Sequence, residues 1–180
     1  MPTVISHGIV AVTIGKLFTS ERMPAQFWVL SVVCAMLPDI DVVGFSLGIR
    51  YGDMLGHRGL THSLAFALLA GCVAAWITLR EAPQQRASWP VFIAYFFCVT
   101  ASHGLLDALT NGGLGIAFFA PFSNHRYFFP WRPIEVSPLG LDSFLSARGP
   151  AVLWSEIKWI WIPSALVTAA ARLLGTKLKK

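Results

Sequence analysis

Charge is what this chain has little of. Asp, Glu, Lys and Arg make up 13% of its 180 residues, about half of the roughly 25% that a soluble domain carries. Hydrophobic residues make up 55%, and the mean hydropathy is +0.61. Cysteine is scarce as well. Cys34, Cys72 and Cys98 each lie inside an apolar run and none has CxxC spacing, so they read as small buried hydrophobes, not as metal or disulfide ligands. The N-terminus has no basic n-region and no clear small-residue cleavage site, and the first apolar run is therefore expected to be retained. Internal repeats and low-complexity stretches are missing. The net charge of +5 is not gathered on an amphipathic element, so nucleic acid is not an expected partner.

What the chain does have is apolar runs. Five stand out: Val4 to Phe18, Pro24 to Leu47, Leu60 to Leu79, Trp89 to Leu109 and Ala151 to Ala171. About 20 apolar residues suffice to cross a bilayer as a helix. The first run is short, and a half-buried helix is an alternative to a full span. Pro24 and Pro90 fall near helix starts, where a missing N–H costs little. The expected fold is all-α: a multi-span helical membrane protein of about five hydrophobic helices, forming a single membrane-embedded domain over residues 1–180.

The long connection, residues 111–150, is rich in aromatics, Gly and Pro, with Phe118, Phe119, Phe122, Tyr127, Phe128, Phe129 and Trp131. Connections of this length are usually functional, and its aromatics place it at the membrane interface. Positive charge sets the orientation. With the C-terminus cytoplasmic, the inner side receives Lys16, Arg22, Arg80, Arg86, Arg172, Lys177, Lys179 and Lys180. The outer side receives Arg50, Arg58, Arg126, Arg132 and Arg148. This excess on the inner side favours an outward N-terminus.

On that topology the polar residues converge. His7 opens the first run; Asp39 and Asp41 follow Pro38 late in the second; His57 and His62 bracket the start of the third; His103 and Asp107 close the fourth. In an up-and-down bundle these ends share one face, the outer one. An ionised Asp at a helix centre costs about 2.5–3.5 kcal/mol on insertion scales, and no Lys within the runs offers a partner. A divalent cation would compensate the carboxylates, with neutral His completing its shell. His103 and Asp107 are four residues apart and share a helix face. Gly59 lets the chain bend so that His57 and His62 reach one site. The candidate metal ligands are His7, Asp39, Asp41, His57, His62, His103 and Asp107. Zinc is favoured, with manganese or iron the alternatives. His125, in the loop, is set apart from them.

These residues carry a resemblance. His7, Pro-Asp-Ile-Asp at 38–41, His-Arg-Gly-Leu-Thr-His-Ser at 57–63, Ser-His-Gly-Leu-Leu-Asp at 102–107, Asn-Gly-Gly at 111–113 and the Phe-Phe-Pro-Trp-Arg-Pro stretch at 128–133 resemble the YdjM-like family of bacterial inner-membrane metal-dependent hydrolases. That family is distantly similar to zinc-dependent phospholipase C. The resemblance implies a phospholipase-C-like helical core and a bridging carboxylate at Asp107. His103 and one of Asp39 or Asp41 would share a metal with His57 or His62, and His7 would hold a second, so the resemblance implies one or two ions. The soluble relatives also use their N-terminal residue as a ligand, for which Met1-Pro2 offers no clear equivalent.

The expected function is hydrolysis of a phosphoester of a lipid or other amphiphile by a metal-activated water. Asp39, Asp41 and Arg58 are the candidate catalytic residues. Arg58, Asn111, Arg126 and Arg132 are candidates for binding the substrate phosphate. The alternatives are a non-catalytic membrane protein with a structural metal or polar site and, ranking behind it, a metal-ion transporter.

Overall fold

The computed structural model describes residues 1–19, 23–80, 88–138, 144–145 and 148–177. Arg22, Arg86, Asp142, Lys179 and Lys180 lie outside them. Among the described residues the architecture is all-helical, with only two isolated β-bridges. A bilayer demands this, because helices satisfy their own backbone groups where water is missing.

Helix α1 is Val4–Phe18 and α2 is Ala25–Met36, which continues as a 3-10 helix over Leu37–Leu47. A 3-10 turn at Leu60–His62 leads into α3, Leu64–Arg80; α4 is Trp89–Ala108. The last helix runs as α5 (Arg148–Glu156), a π-helical turn (Ile157–Trp161) and α6 (Ile162–Lys177). Each expected apolar segment is one of these helices. Ala25–Leu47, Trp89–Ala108 and Arg148–Leu174 are long and apolar enough to cross a membrane, and α1 and α3 are shorter apolar helices. The last helix starts at Arg148, three residues earlier than the apolar run, and the connection is shorter accordingly.

Helix α4 is central, packed against α1, α2 and α3. Gly71 lets α3 approach it, since a Cβ there would lie 2.9 Å from the Phe97 nitrogen. Small residues permit such close helix contact in membranes. Below the polar end, Phe27, Phe92, Tyr95 and Phe96 form an aromatic core with Phe18 against them. The outward faces are apolar: Val29, Leu69, Val73, Trp76, Val91 and Leu166 are all exposed. In water such a band would aggregate; in lipid it is the solvated surface. Cations over indole rings mark both ends, Lys16 over Trp28 and Arg80 over Trp76 at one, Lys158 over Trp159 at the other. Amphipathic rings favour the headgroup level.

Two local features position the polar end. The 3-10 helix after Pro38 is unusually long for its type. Its three-residue period stacks Pro38, Asp41 and Gly44 on a buried row, while Ile40 and Val43 face outward. Asp39 and Asp41 therefore leave the backbone in different directions. The second feature is the connection after α4, which folds back as a cap. The Ala117 amide donates to the Arg58 carbonyl, and the Leu64 amide to the Phe118 carbonyl. Arg126 donates to the carbonyls of His57, Tyr51 and Asp53.

Candidate metal centre

The α1 start, the 3-10 helix, the loop before α3 and the α4 end meet at one end of the bundle. There His7, Asp41, His57, Arg58, His62, His103 and Asp107 are buried, and Asp39 is nearly so. The chain that supplies His57 and Arg58 is tightly coiled. A Cβ on Gly56 would lie 2.1 Å from the Arg50 carbonyl oxygen, and one on Gly59 2.2 Å from that of Met54. Between them Arg58 adopts φ +65°, a left-handed conformation that a bulky side chain holds only under constraint.

The geometry divides the polar residues into two groups that share His62. In the first, one ligand atom from each of Asp39, His62, His103 and Asp107 lies within 4.8 Å of the others. Asp39 Oδ1 is 3.6 Å from His62 Nε2 and 3.3 Å from His103 Nε2. Asp107 Oδ2 is 3.6 Å from His62 Nε2 and 4.0 Å from His103 Nε2. These separations exceed ordinary hydrogen bonds, and His103 and Asp107 do not form a simple hydrogen-bonded pair. They match the edges of a tetrahedral shell, about 3.4 Å for bonds of about 2.1 Å. His7 stacks on His103 with ring centroids 3.8 Å apart, and its Nε2 is 3.6 Å from the other Asp107 oxygen.

The second group is hydrogen-bonded throughout. Asp41 Oδ1 is 2.7 Å from His57 Nδ1. Asp41 Oδ2 accepts from the Thr61 hydroxyl at 2.6 Å and the Arg58 amide at 3.1 Å, and lies 3.1 Å from His62 Nδ1. Asp41, His57 and His62 also have the spacing to hold an ion. With these bonds in place Asp41 instead orients imidazoles: it lies in ion-pair contact with His62 Nδ1, which is also 3.1 Å from the Thr61 hydroxyl that Asp41 holds, and His62 Nε2 is left facing the first group. The Ala35 carbonyl does the same for His103 through Nδ1, at 2.7 Å. Carboxylate or carbonyl partners commonly fix metal-ligating His in this way. Of the alternatives that the sequence left open, the geometry selects Asp39 over Asp41, and His62 over His57, for the first group.

Among the described residues, nine buried side-chain N and O atoms have no hydrogen-bond partner, and all belong to this cluster: both His7 nitrogens, both oxygens of Asp39 and of Asp107, Nε2 of His62 and of His103, and Arg58 Nε. Each such atom costs about 1–3 kcal/mol if left alone. Their convergence, with imidazole and carboxylate donors facing one another, fits a bound cation.

Arg58, which lies between the second and third apolar runs, supplies the cluster with a cation. It is buried, with Nε 3.2 Å from Asp107 Oδ2, Nη1 bonded to the Gly112 carbonyl at 2.8 Å and Nη2 to Thr110 Oγ1 at 3.2 Å. All three nitrogens face the protein. Asn111 is engaged too, donating to Glu135 Oε2 and accepting from the Val136 amide. Burial lowers the Arg126 pKa, opposed by Tyr51 and Asp41, and its donors go to backbone carbonyls. Arg132 is exposed and lies over the Phe128 ring. His125 is exposed against Tyr127, apart from the cluster. The Met1 α-amine, which the sequence did not connect with the site, is within electrostatic reach of Asp107; burial pulls its pKa down to about 6, with Asp107 opposing.

Glu156 was not singled out by sequence, although it is an acidic residue inside the fifth apolar run. It is fully buried and accepts from the Thr3 amide at 2.5 Å, the Thr3 hydroxyl at 2.6 Å and the Ser6 hydroxyl at 2.6 Å. Trp161 Nε1 donates to Ser6 Oγ at 2.8 Å. The carboxylate thus ties the last helix to the first turn of α1, next to His7, at the positive end of that helix.

The family model for the YdjM inner membrane protein matches residues 1–179. The chain is 38% identical over 167 residues to the inner membrane protein YbcI of Escherichia coli (strain K12), covering 93% of this chain and 95% of that one. No solved structure matches it. A match along nearly the whole chain, on a bundle of apolar helices with an Asp/His cluster at one end, places this protein in the YdjM inner membrane protein family.

Proposed function

We propose that this protein is a membrane-bound metal-dependent hydrolase that cleaves a phosphoester of a lipid or another amphiphile. The observation that supports this reading is the convergence of unpartnered Asp39, His62, His103 and Asp107 atoms in a buried site. Mixed imidazole and carboxylate donors suit zinc, with manganese or iron as alternatives. Bound there, a divalent ion supplies Lewis acidity and brings the pKa of a coordinated water toward about 7.

The chain's own residues do the rest. Asp41 holds His62 with Nε2 turned to the site, assisted by Thr61. Asp107 is held by Arg58. Asp39 is the residue of its group with appreciable side-chain exposure, at 13%, although both its oxygens are buried, and in this reading water and substrate reach the site from its side. Its two oxygens are unpartnered; one would hold the ion, and the other would be free to take a proton from an entering water. Apolar Ile40 and Val43 are exposed on the same 3-10 helix, which suits a substrate with a lipid tail. Arg132 is the loop cation best exposed to meet a phosphate. The charge distribution puts this end at the outer face. A cysteine at Asn124 should then react with an impermeant reagent added outside the inner membrane. Protection there, with labelling at position 84, which lies outside the described residues, would reverse the orientation.

The test is metal content by mass spectrometry, followed by assays of phosphoester lipids with the loaded, detergent-purified protein beside Asp39→Asn. Bound metal with cleavage lost in the variant supports the hydrolase. A second reading is favoured by one observation: four protein donors enclose the site, as in closed structural metal sites. Stoichiometric metal with no cleavage of any phosphoester lipid would select it.

A further inference from the structure

We propose that Arg58 acts as a built-in counter-cation that limits the centre to one divalent ion, with Asp41 setting the charge although it lies outside the ion's shell. This rests on the metal reading above and fixes a number that the ligand list leaves open. His7 and the second Asp107 oxygen, which face one another at 3.6 Å, would otherwise invite a second ion.

Charge decides against it. Asp39, Asp41 and Asp107 bring three negative charges to one buried volume, and Arg58 returns one positive charge. Metal-ligating His is neutral. Counted over the three carboxylates and Arg58, the deficit is two, which one divalent ion removes and a second would overturn. Burying uncompensated charge is costly in either sign.

The fold holds the guanidinium in place. Its backbone is locked at φ +65° between two glycines that tolerate no Cβ. Thr110 and the Gly112 carbonyl take its outer nitrogens. Gly113, at φ +87°, leaves the space, because a Cβ there would lie 2.6 Å from Nη1. Arg58 Nε meets Asp107 Oδ2 at 3.2 Å without hydrogen-bond geometry, so the contact acts through charge.

The experiment is a charge-rescue cycle on the full-length, detergent-purified chain, read by mass spectrometry for zinc stoichiometry and by competitive chelator titration for affinity. Wild type should saturate at one zinc per chain. Asp41→Asn should weaken zinc at least ten-fold while removing no ligand of the first group. The double variant Asp41→Asn with Arg58→Met should bind zinc at least three-fold more tightly than Asp41→Asn alone, because the deficit of two is restored while the orientation of His62 is not. Arg58→Lys keeps the charge and should keep one zinc. Two zinc ions on wild type, or a double variant no tighter than Asp41→Asn alone, would overturn the inference and leave the metal reading intact. No zinc on folded wild type would remove both.

Discussion

Asp39 and Asp41 leave the same 3-10 helix two residues apart, and their surroundings differ. Asp41 faces His57, Thr61, His62 and the Arg58 amide, and its oxygens are hydrogen-bonded. Asp39 faces His62 and His103 at 3.3–3.6 Å, and neither oxygen has a hydrogen-bond partner. A carboxylate that has its hydrogen bonds is part of a scaffold. One that is buried without them is held there for something else. Glu156 extends the comparison: it is more deeply buried than either and satisfied by Thr3 and Ser6, so it belongs with Asp41.

The largest effect expected from this comparison is at the unsatisfied group. His103→Ala with Asp107→Ala removes two of its four donors and should abolish stoichiometric metal. Mass spectrometry of the purified double variant decides this, and retained metal would mean that the ion is held elsewhere. Within the pair, Asp39→Asn should lose the ion to chelator far more readily than Asp41→Asn. Loss of an orienting partner typically costs 10–100-fold in affinity, whereas Asp39 offers a ligand atom directly. Equal losses would erase the distinction between the two aspartates.

Glu156→Ala should act on stability and leave metal stoichiometry near that of wild type. Hydrogen bonds to a charged group are worth about 1.5–3 kcal/mol each, and three are removed at once. A loss of about 3 kcal/mol or more is expected in denaturant titration of the detergent-solubilised protein. Glu156→Gln, which keeps an acceptor oxygen, should lose less. If Glu156→Ala lost the metal at unchanged stability, Glu156 would belong with Asp39.

Much of this was legible in the sequence. The helices follow from apolar run length, and α1 coincides with the segment read directly, Val4 to Phe18. The convergence of His and Asp residues followed from placing them at alternate ends of an up-and-down bundle. Three things were not legible. Assigning Asp39 and Asp41 to different roles needs the 3-10 period, which turns adjacent odd positions to different faces; a Pro in the chain signals a break but not its geometry. The partner of Asp107 is Arg58, which lies outside the apolar runs and arrives through a left-handed backbone that no local pattern announces. The engagement of Asn111 and Arg126 with the cap depends on contacts more than 20 residues distant in the chain. Glu156 could have been found by the same rule that singled out Asp39, since an acid inside an apolar run needs a partner.

The smallest expected effect is at Thr61. Its hydroxyl donates to Asp41 Oδ2 at 2.6 Å and also lies 3.1 Å from His62 Nδ1. Thr61→Val keeps the shape and removes the hydroxyl. Asp41 retains His57, the Arg58 amide and the ion-pair contact with His62, so the orienting role survives with one bond fewer to Asp41 and one fewer to His62 Nδ1. The bonds are made with or without the ion, so only part of the roughly 1.5–3 kcal/mol of a bond to a charged group reaches the ion's affinity; about 1 kcal/mol corresponds to a loss of about five-fold. Chelator competition resolves that difference from the larger one expected of Asp41→Asn. A Thr61→Val loss as large as that of Asp41→Asn would mean that the hydroxyl, through His62, fixes the imidazole by itself, and Asp41 would then act through its charge alone.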